Sequence, residues 1–561
     1  MDFQRIFILL GLAVTTYMLI LAWNDDYGQG AAAPPAVVDS TIPAIPPGEA
    51  SVPSMPSEST AEASETAAFV PSLAVEETAS DVPAVVAPTS VIRVSTDVLR
   101  VEIDPRGGDI VSASLPGFPA DIDTPEIPFV LMDPRNAYAS QSGLIGDDGT
   151  DTAGTRPLFT VGSERFDLGD AEELRVSLTP ADPAAYPYTK VFTFRRGDYL
   201  INVDYEIRNT LDRPLKVAFY GQIRRDGAEP VMADNNVMGL QPFVGAATRS
   251  EDELYSRLEF DDLEEEAYRG KITGGYMAMV QHYFVSAWIP PQDDTVTYSA
   301  RQVGDTFLMG YNTNLLTVAP GETATLGGRF YVGPKDQYQL REYAEGLDLT
   351  VDYGFLWWLA QPLFYLLTMI HGFAGNWGVA IILLTVIVKA LLYPLSAASF
   401  RSMAKMRKLQ PEMQRLKERY GDDRQKFSEA MMELYKKEGA NPLGGCLPIL
   451  LQMPVFLALY WTLMESVELR QAPFVLWIDD LSVMDPFFVL PILMGISMYI
   501  TQSLQPEPPD PVQARVFKLM PIMFTFFFLW FPSGLVLYWL VNNILSIMQQ
   551  WYVTKQIEKG N

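Results

Sequence analysis

One cysteine, Cys446, and two histidines, His282 and His371, are all that 561 residues carry of these types. A single cysteine allows no intrachain disulfide. Two histidines leave little material for a His-based metal site or catalytic triad. Basic residues are also scarce: 41 Lys and Arg against 68 Asp and Glu give a formal charge of −27. That balance argues against a nucleic-acid binder with a broad basic surface. The sequence contains no Gly-x-x-x-x-Gly-Lys-Ser/Thr loop, so no nucleotide-driven cycle is expected. What is plentiful is apolar. Hydrophobic residues make up 48% of the chain, in long runs at its start and after Phe355. The length exceeds one core, so at least two domains are expected. The runs mark a multi-pass membrane protein with a large soluble domain.

The charge is partitioned along the chain. Asn24 to Gly354 holds 23 basic and 52 acidic residues, a balance of −29, so the whole deficit sits there. Ala397 to Ala440 holds 11 basic against 7 acidic, or +4. Short basic loops stay in the cytoplasm, whereas long domains translocate with little regard for charge. The segment 397–443 is therefore expected in the cytoplasm and the acidic region outside.

The first apolar run, Ile6 to Ala22, follows Arg5 and precedes Asp25 and Asp26. A cleaved signal peptide wants small residues near the end of its run, yet Leu21-Ala22-Trp23-Asn24 places bulky Trp23 there. A retained anchor over 1–26, amino terminus inside, is expected, with a cleaved signal as the alternative. The stretch 27–90 is rich in Pro, Ala, Ser, Thr and Glu and lacks Lys and Arg. Such a composition buries too little apolar surface to offset chain entropy, so a disordered linker is expected.

From Val91 the hydrophobic period is two. Val98 to Ile103 alternates, Arg196-Gly197-Asp198 separates two β-patterned runs as a hairpin turn, and Thr323 to Val332 reads as a further strand. Gln337 to Glu345 looks like a closing helix. A large antiparallel sandwich over 91–350 is the expectation. His282 lies in Met279-Val280-Gln281-His282-Tyr283-Phe284 with no metal spacing around it, which suggests a packed or surface histidine. The acidic run Asp261-Asp262-Leu263-Glu264-Glu265-Glu266 reads as a solvated loop.

Beyond it, Phe355 to Ile370 is rich in Trp and Phe and interrupted by Gln361-Pro362, so 351–375 is expected to hold an interfacial amphipathic helix. Crossings are expected at 376–396, with Trp377 to Leu395 apolar, and then through 444–553. The latter holds Leu447 to Met464, Pro486 to Leu504, and two pieces of Leu519 to Met548 separated by Pro532-Ser533-Gly534. With the anchor this makes six spans, and 554–561 becomes a cytoplasmic tail carrying Lys555 and Lys559. Leu519 to Phe531 reaches only about 20 Å, against a hydrocarbon core of about 30 Å. A bundle of such spans is expected to thin the bilayer and lower the barrier to moving polar groups across it.

Lys389 lies inside an apolar run, Ile381 to Lys389. A cation at a helix centre costs about 2.5–3.5 kcal/mol on insertion scales. Two readings stand: the side chain snorkels to the inner interface, or it faces a hydrated groove. Thr385 one turn above, Gln452, Asn542 and Asn543 place uncharged polar groups at similar depth and favour the groove. Between the second and third spans, Ser402 to Arg419 and Asp423 to Lys437 read as two helices joined at Gly421-Asp422, the second capped by Asp422 or Asp423. Met403, Met406, Met413, Met431 and Met432 punctuate this hairpin, and some are expected to be exposed as an adaptable contact surface. Its basic residues suit anionic headgroups, ribosomal RNA or an acidic nascent chain.

These residues resemble the YidC family of bacterial membrane-protein insertases. The resemblance is carried by Tyr393-Pro394-Leu395, Ser402-Met403-Ala404-Lys405-Met406, Leu409-Gln410-Pro411 and Tyr420-Gly421-Asp422-Asp423. It continues in Asn441-Pro442-Leu443-Gly444-Gly445-Cys446, Gln452-Met453-Pro454-Val455-Phe456, and Phe531-Pro532-Ser533-Gly534-Leu535-Val536-Leu537-Tyr538, and covers the chain from about Tyr353 onward. It implies a multi-pass α-helical membrane protein with a five-helix insertase core, plus a large periplasmic all-β sandwich similar to sugar-mutarotase folds. It also implies a bacterial inner-membrane location with both termini cytoplasmic.

The implied partners are nascent membrane proteins, the Sec translocon with its accessory subunits, the ribosome and the phospholipid bilayer. No cofactor, small-molecule substrate or catalytic reaction is implied. In the family one positive residue sits in a hydrophilic groove, and Lys389 takes that place where many members carry Arg, keeping the charge without the fork. Thr385, Tyr538 and Trp539 fall on substrate-contacting positions, with Gln452 and Asn542 as further groove polar groups. Trp539 stands where some relatives have a second tyrosine. Lys405, Arg407, Lys408, Asp422 and Asp423 are the expected cytoplasmic docking residues.

Two other classes remain open on sequence grounds. A secondary transporter or channel would use Lys389 as an anion site, although transporters usually show paired repeats and none is evident. An envelope-glycan enzyme would need clustered carboxylates in a cleft of the β-domain.

Overall fold

The computed structural model describes residues 91–151, 156–183, 186–228, 242–420, 423–438, 447–505 and 511–559. The expected anchor at 1–26, the linker at 27–90 and Asp422 lie outside the described residues.

The alternating pattern folds as it reads. In Leu200–Arg208 the side chains of Ile201, Val203, Tyr205 and Ile207 turn inward while their neighbours face out. Tyr188–Arg195 pairs with it antiparallel, and Gly197 between them takes φ +69°, open to a residue without Cβ. Repeated along the domain, the pattern builds an eleven-stranded and a nine-stranded sheet among the described residues. Pairing is antiparallel except where Ile92–Ser95 runs parallel to Arg165–Asp167. The two sheets share one core, where Phe219 of one sheet meets Tyr205 and Trp288 of the other edge-on at 6.0 and 5.8 Å. Burying each such apolar side chain stabilises by about 1.5–3 kcal/mol.

The acidic run differs from the expected loop. Phe260–Glu265 is a one-and-a-half-turn helix, α1. Of its two apolar residues, Leu263 is buried and Phe260 stacks on Phe307 at 4.4 Å. Asp261 and Asp262 occupy the first turn, where negative charge suits the helix dipole. Helix α2, Gln337–Tyr343, starts where Asp336 accepts from the backbone N–H groups of Tyr338 and Gln339, and it ends two residues before the expected Glu345.

The rest of the described chain is mostly helical. Helix α3 is Trp357–Ala374, α4 Trp377–Leu391, α5 Tyr393–Tyr420 and α6 Arg424–Lys437. Helix α7 is Leu447–Glu465, α8 Val489–Ser503, α9 Pro511–Phe527 and α10 Ser533–Lys559. Helix α3 buries Ala360, Leu363, Phe364, Leu367 and Ile370 and leaves Trp357, Trp358, Tyr365, Met369 and Phe373 exposed, an apolar helix with only one covered face.

Three boundaries correct the sequence reading. The helix expected to run to Leu395 stops at Leu391, and the chain bends by 68° into α5. Pro394 explains the stop: its ring clashes with a preceding turn and it has no N–H to donate, so it sits in the first turn of a new helix. Helix α9 begins at Pro511 rather than Leu519; its first turns carry Arg515 and Lys518, and apolarity alone missed them. At 17 residues it spans about 25 Å, not the shorter reach expected. The final helix runs unbroken through the expected tail to Lys559.

The break at Pro532-Ser533-Gly534 is present as expected. Its freed amides are satisfied by the α7–α8 loop: Ser533 N–H donates to Val483 O at 2.7 Å and Gly534 N–H to Leu481 O at 2.9 Å. Among the described residues no single helix is long and apolar enough to cross a membrane, and α4 with α5 reaches that mark only as a bent pair.

Candidate functional site: a polar seam along one helix

Tyr538, Asn542 and Ser546 are spaced by four on α10 and so share one face of that helix. Tyr538 and Ser546 each meet a partner from another helix. The Gln452 side-chain amide on α7 donates to the Tyr538 hydroxyl, and both residues are buried. Two turns on, Lys389 of α4 donates from Nζ to Ser546 Oγ at 2.8 Å. Ser546 in turn donates to the Asn542 carbonyl at 2.7 Å. Beside this face Asn543 donates to Ser497 Oγ of α8 at 3.1 Å.

Lys389 is only 8% exposed, and no carboxylate pairs with it among the described residues. Its ammonium therefore donates to a hydroxyl, which in turn donates to a carbonyl. Hydrogen-bonding capacity is left over nearby: Asn542 Oδ1 and Trp539 Nε1 are buried without a partner among the described residues. The Trp539 ring is wedged against Phe456 edge-on at 4.6 Å and against Phe528 at 5.6 Å. A buried polar atom without a hydrogen bond is costly. Beside the seam stands an apolar cluster that includes Phe456 and Leu459 of α7 and Phe524 of α9.

The expected constellation is gathered with two changes. Thr385 is buried one turn above Lys389, but its hydroxyl donates to Ile381 O of its own helix at 2.7 Å. Ser546, the direct partner of Lys389, escaped the sequence reading. The four-residue spacing from Asn542 was the available signal, hidden because serine is common in helices and carries no charge.

On the hairpin, Lys405, Arg407 and Lys408 all point outward from α5. Asp423 caps α6 by accepting from Lys426 N–H at 3.1 Å, and this backbone bond is the main cause of its lowered carboxyl pKa. The expectation that some of the hairpin methionines are exposed holds for Met432, while Met406 and Met431 are half-buried and Met403 and Met413 are covered. Met403 packs with Ala397, Phe400 and Val553, Met413 packs with Tyr435, and Met432 is the one strongly exposed. The long α5 supplies covered faces that a short hairpin lacks.

Of the two expected placements for His282, packed or surface, the structure shows the packed one. Its Nε2 lies 2.8 Å from Met464 O and its ring stacks on Tyr283 at 3.8 Å.

Comparison with known proteins covers both halves. Residues 369–560 match the family described as 60Kd inner membrane protein, and 91–366 match the YidC periplasmic domain. The Azotobacter vinelandii membrane protein insertase YidC is 50% identical over 100% of this chain and 99% of its own. The Cellvibrio japonicus membrane protein insertase YidC is likewise 50% identical, covering 100% of both chains. Among solved structures, the active YidC insertase crystal structure with the first transmembrane domain resolved aligns at TM-score 0.39 and 19% identity, over 83% of this chain and 93% of that one. This chain belongs to the YidC family of membrane protein insertases, proteins of the bacterial inner membrane with a periplasmic β-domain.

Proposed function

We propose that the seam between α4, α7 and α10 is a hydrophilic groove, open to cytoplasm and lipid, that takes the polar tail of a nascent membrane protein part-way across the bilayer. The observation that carries this reading is Lys389, buried and without a counter-ion among the described residues, beside unpartnered Asn542 and Trp539 polar atoms. A resident ion pair would close such a site; an unpaired cation leaves it receptive to substrate carboxylates and backbone carbonyls.

The proposed cycle has three steps. The basic hairpin, through Lys405, Arg407, Lys408, Asp422 and Asp423, meets the ribosome or the emerging chain at an anionic lipid surface. The substrate tail enters beside Lys389, Thr385, Gln452, Tyr538, Trp539 and Asn542, which shortens its path through hydrocarbon. Its apolar segment slides along α7 and α9 into lipid. A segment with ten Leu, Ile, Val or Phe gains roughly 3–6 kcal/mol from partitioning, enough to offset a short polar tail in a thin bilayer. Helices α4 and α8, at 15 residues each, span about 22 Å and favour local thinning. We assign six spans with both termini cytoplasmic, action alone or beside the Sec translocon, and no catalysis, nucleotide or cofactor.

The test is reconstitution in liposomes without a translocon, with a small single-span protein supplied during translation. Protease protection of its far tail, lost on Lys389→Glu, supports insertase and groove together. Protection unchanged by Lys389→Glu returns the lysine to snorkelling. No protection above empty liposomes, together with solute flux through the same vesicles, favours a transporter or channel using Lys389.

A further inference from the structure

The β-domain and the helical region are joined by buried chemistry at the far end of α7. Lys335, just past the strand Thr323–Pro334, and Glu465, the last residue of α7, form an ion pair at 2.7 Å with side chains only 2% and 8% exposed. The same Nζ donates to Thr350 O at 3.2 Å, so the ammonium is held on two sides. One residue earlier on α7, Met464 O meets His282 Nε2. Just past α7, Arg470 donates to Pro119 O at 2.7 Å and its guanidinium lies over the rings of Phe129 and Phe284 at 5.5 and 5.7 Å. These contacts hold the backbone, the charge and the outgoing loop of α7 against strand ends and loops from both sheets of the β-domain.

Gln452, which bonds Tyr538 in the seam, lies thirteen residues before Glu465 on this helix, about 20 Å away. Pro454 removes one backbone bond beside Gln452, and the helix continues from there to Glu465, so a displacement at the Glu465 end is carried along it towards Gln452. Removing one partner of a buried pair strands the other charge and so loosens the contact between α7 and the β-domain. We infer that Lys335 and Glu465 are positioning residues: the β-domain is a fixed abutment that sets the placement of α7, and thereby the groove contact between Gln452 and Tyr538. This inference rests on the insertase reading for its functional consequence but not for its structural one.

The experiment uses the full chain in lipid nanodiscs and in liposomes, with Glu465→Gln and the charge swap Lys335→Glu with Glu465→Lys. Hydrogen exchange is read separately for the groove half of α7 and for the β-domain strand Leu200–Arg208. Insertion of the single-span substrate is read alongside. Glu465→Gln is expected to speed exchange around Gln452, leave the β-strand protected, and lower insertion at least about fivefold, the lower range of coupling between linked sites. The swap is expected to restore both.

Faster exchange confined to 464–470, with insertion unchanged, overturns the inference. If Glu465→Gln does not fold, the swap decides: folded with slow α7 exchange it supports the inference, and folded with fast α7 exchange it overturns it. If the wild-type chain inserts nothing, the insertase reading fails while the exchange measurement still tests the positioning.

Discussion

Lys389 and Ser546, 157 residues apart, meet through one hydrogen bond of 2.8 Å that joins α4 to α10. The bond gives an otherwise unpaired buried cation its protein acceptor, and Ser546 passes the polarity on to the Asn542 carbonyl. A hydroxyl accepting from a cation while donating to a carbonyl is matched on both sides.

Ser546→Ala therefore removes the acceptor but leaves the charge. Hydrogen bonds to charged groups contribute about 1.5–3 kcal/mol, so a lower unfolding temperature is expected in detergent scans. Lys389→Met in the Ser546→Ala background, which removes the stranded charge, is expected to recover much of that loss.

Gln452 and Tyr538 form a second pair whose members depend on each other. Tyr538→Phe strands the Gln452 amide, a cost of about 1–3 kcal/mol, and Gln452→Leu leaves the phenol hydroxyl alone. The double variant strands neither group. A double-mutant cycle is expected to show its destabilisation well below the sum of the two singles.

The His282 contact makes docking sensitive to acid. Burial first, then the Lys335 cation, pushes its pKa from 6.5 down to about 3. The folded chain keeps the ring neutral where the unfolded chain protonates it, so the unfolded state binds the extra proton. The associated stability is fully present above pH 6.5 and is lost as pH falls towards 3, at up to about 1.4 kcal/mol per pH unit. Thermal unfolding between pH 7 and pH 4 is expected to show this slope, and His282→Gln is expected to flatten it.

Gly378 on α4 is a steric prediction. A Cβ there would stand 2.1 Å from the Phe474 ring of the α7–α8 loop. Gly378→Ala is expected to destabilise by about 1–3 kcal/mol through overpacking, and a second change, Phe474→Leu, to recover part of it in the same melting assay.

Much of the architecture was legible because local patterns report which face of an element is buried. Period two marked the sandwich strands, Gly197 marked a turn needing positive φ, and Pro532-Ser533-Gly534 marked the break before α10. Boundaries were less legible where polarity and structure part company. Arg515 and Lys518 open α9 although they are charged, and Leu391 closes α4 although apolar residues follow, because Pro394 decides the stop. The acidic run from Asp261 became helical because Leu263 and Phe260 found a surface to pack on.

The sequence by itself determined the residue types that bear chemistry: one cation in an apolar run, amides at similar depth, and a basic hairpin apart from an acidic domain. Tertiary structure alone decided their partners. Ser546 for Lys389, Tyr538 for Gln452 and Glu465 for Lys335 are separated by 157, 86 and 130 residues. Periodicity sets the direction in which a side chain leaves its own element, and it carries no record of which distant element will stand there. That choice is made when helices and sheets pack, because only then does burial penalise a polar group left without a partner.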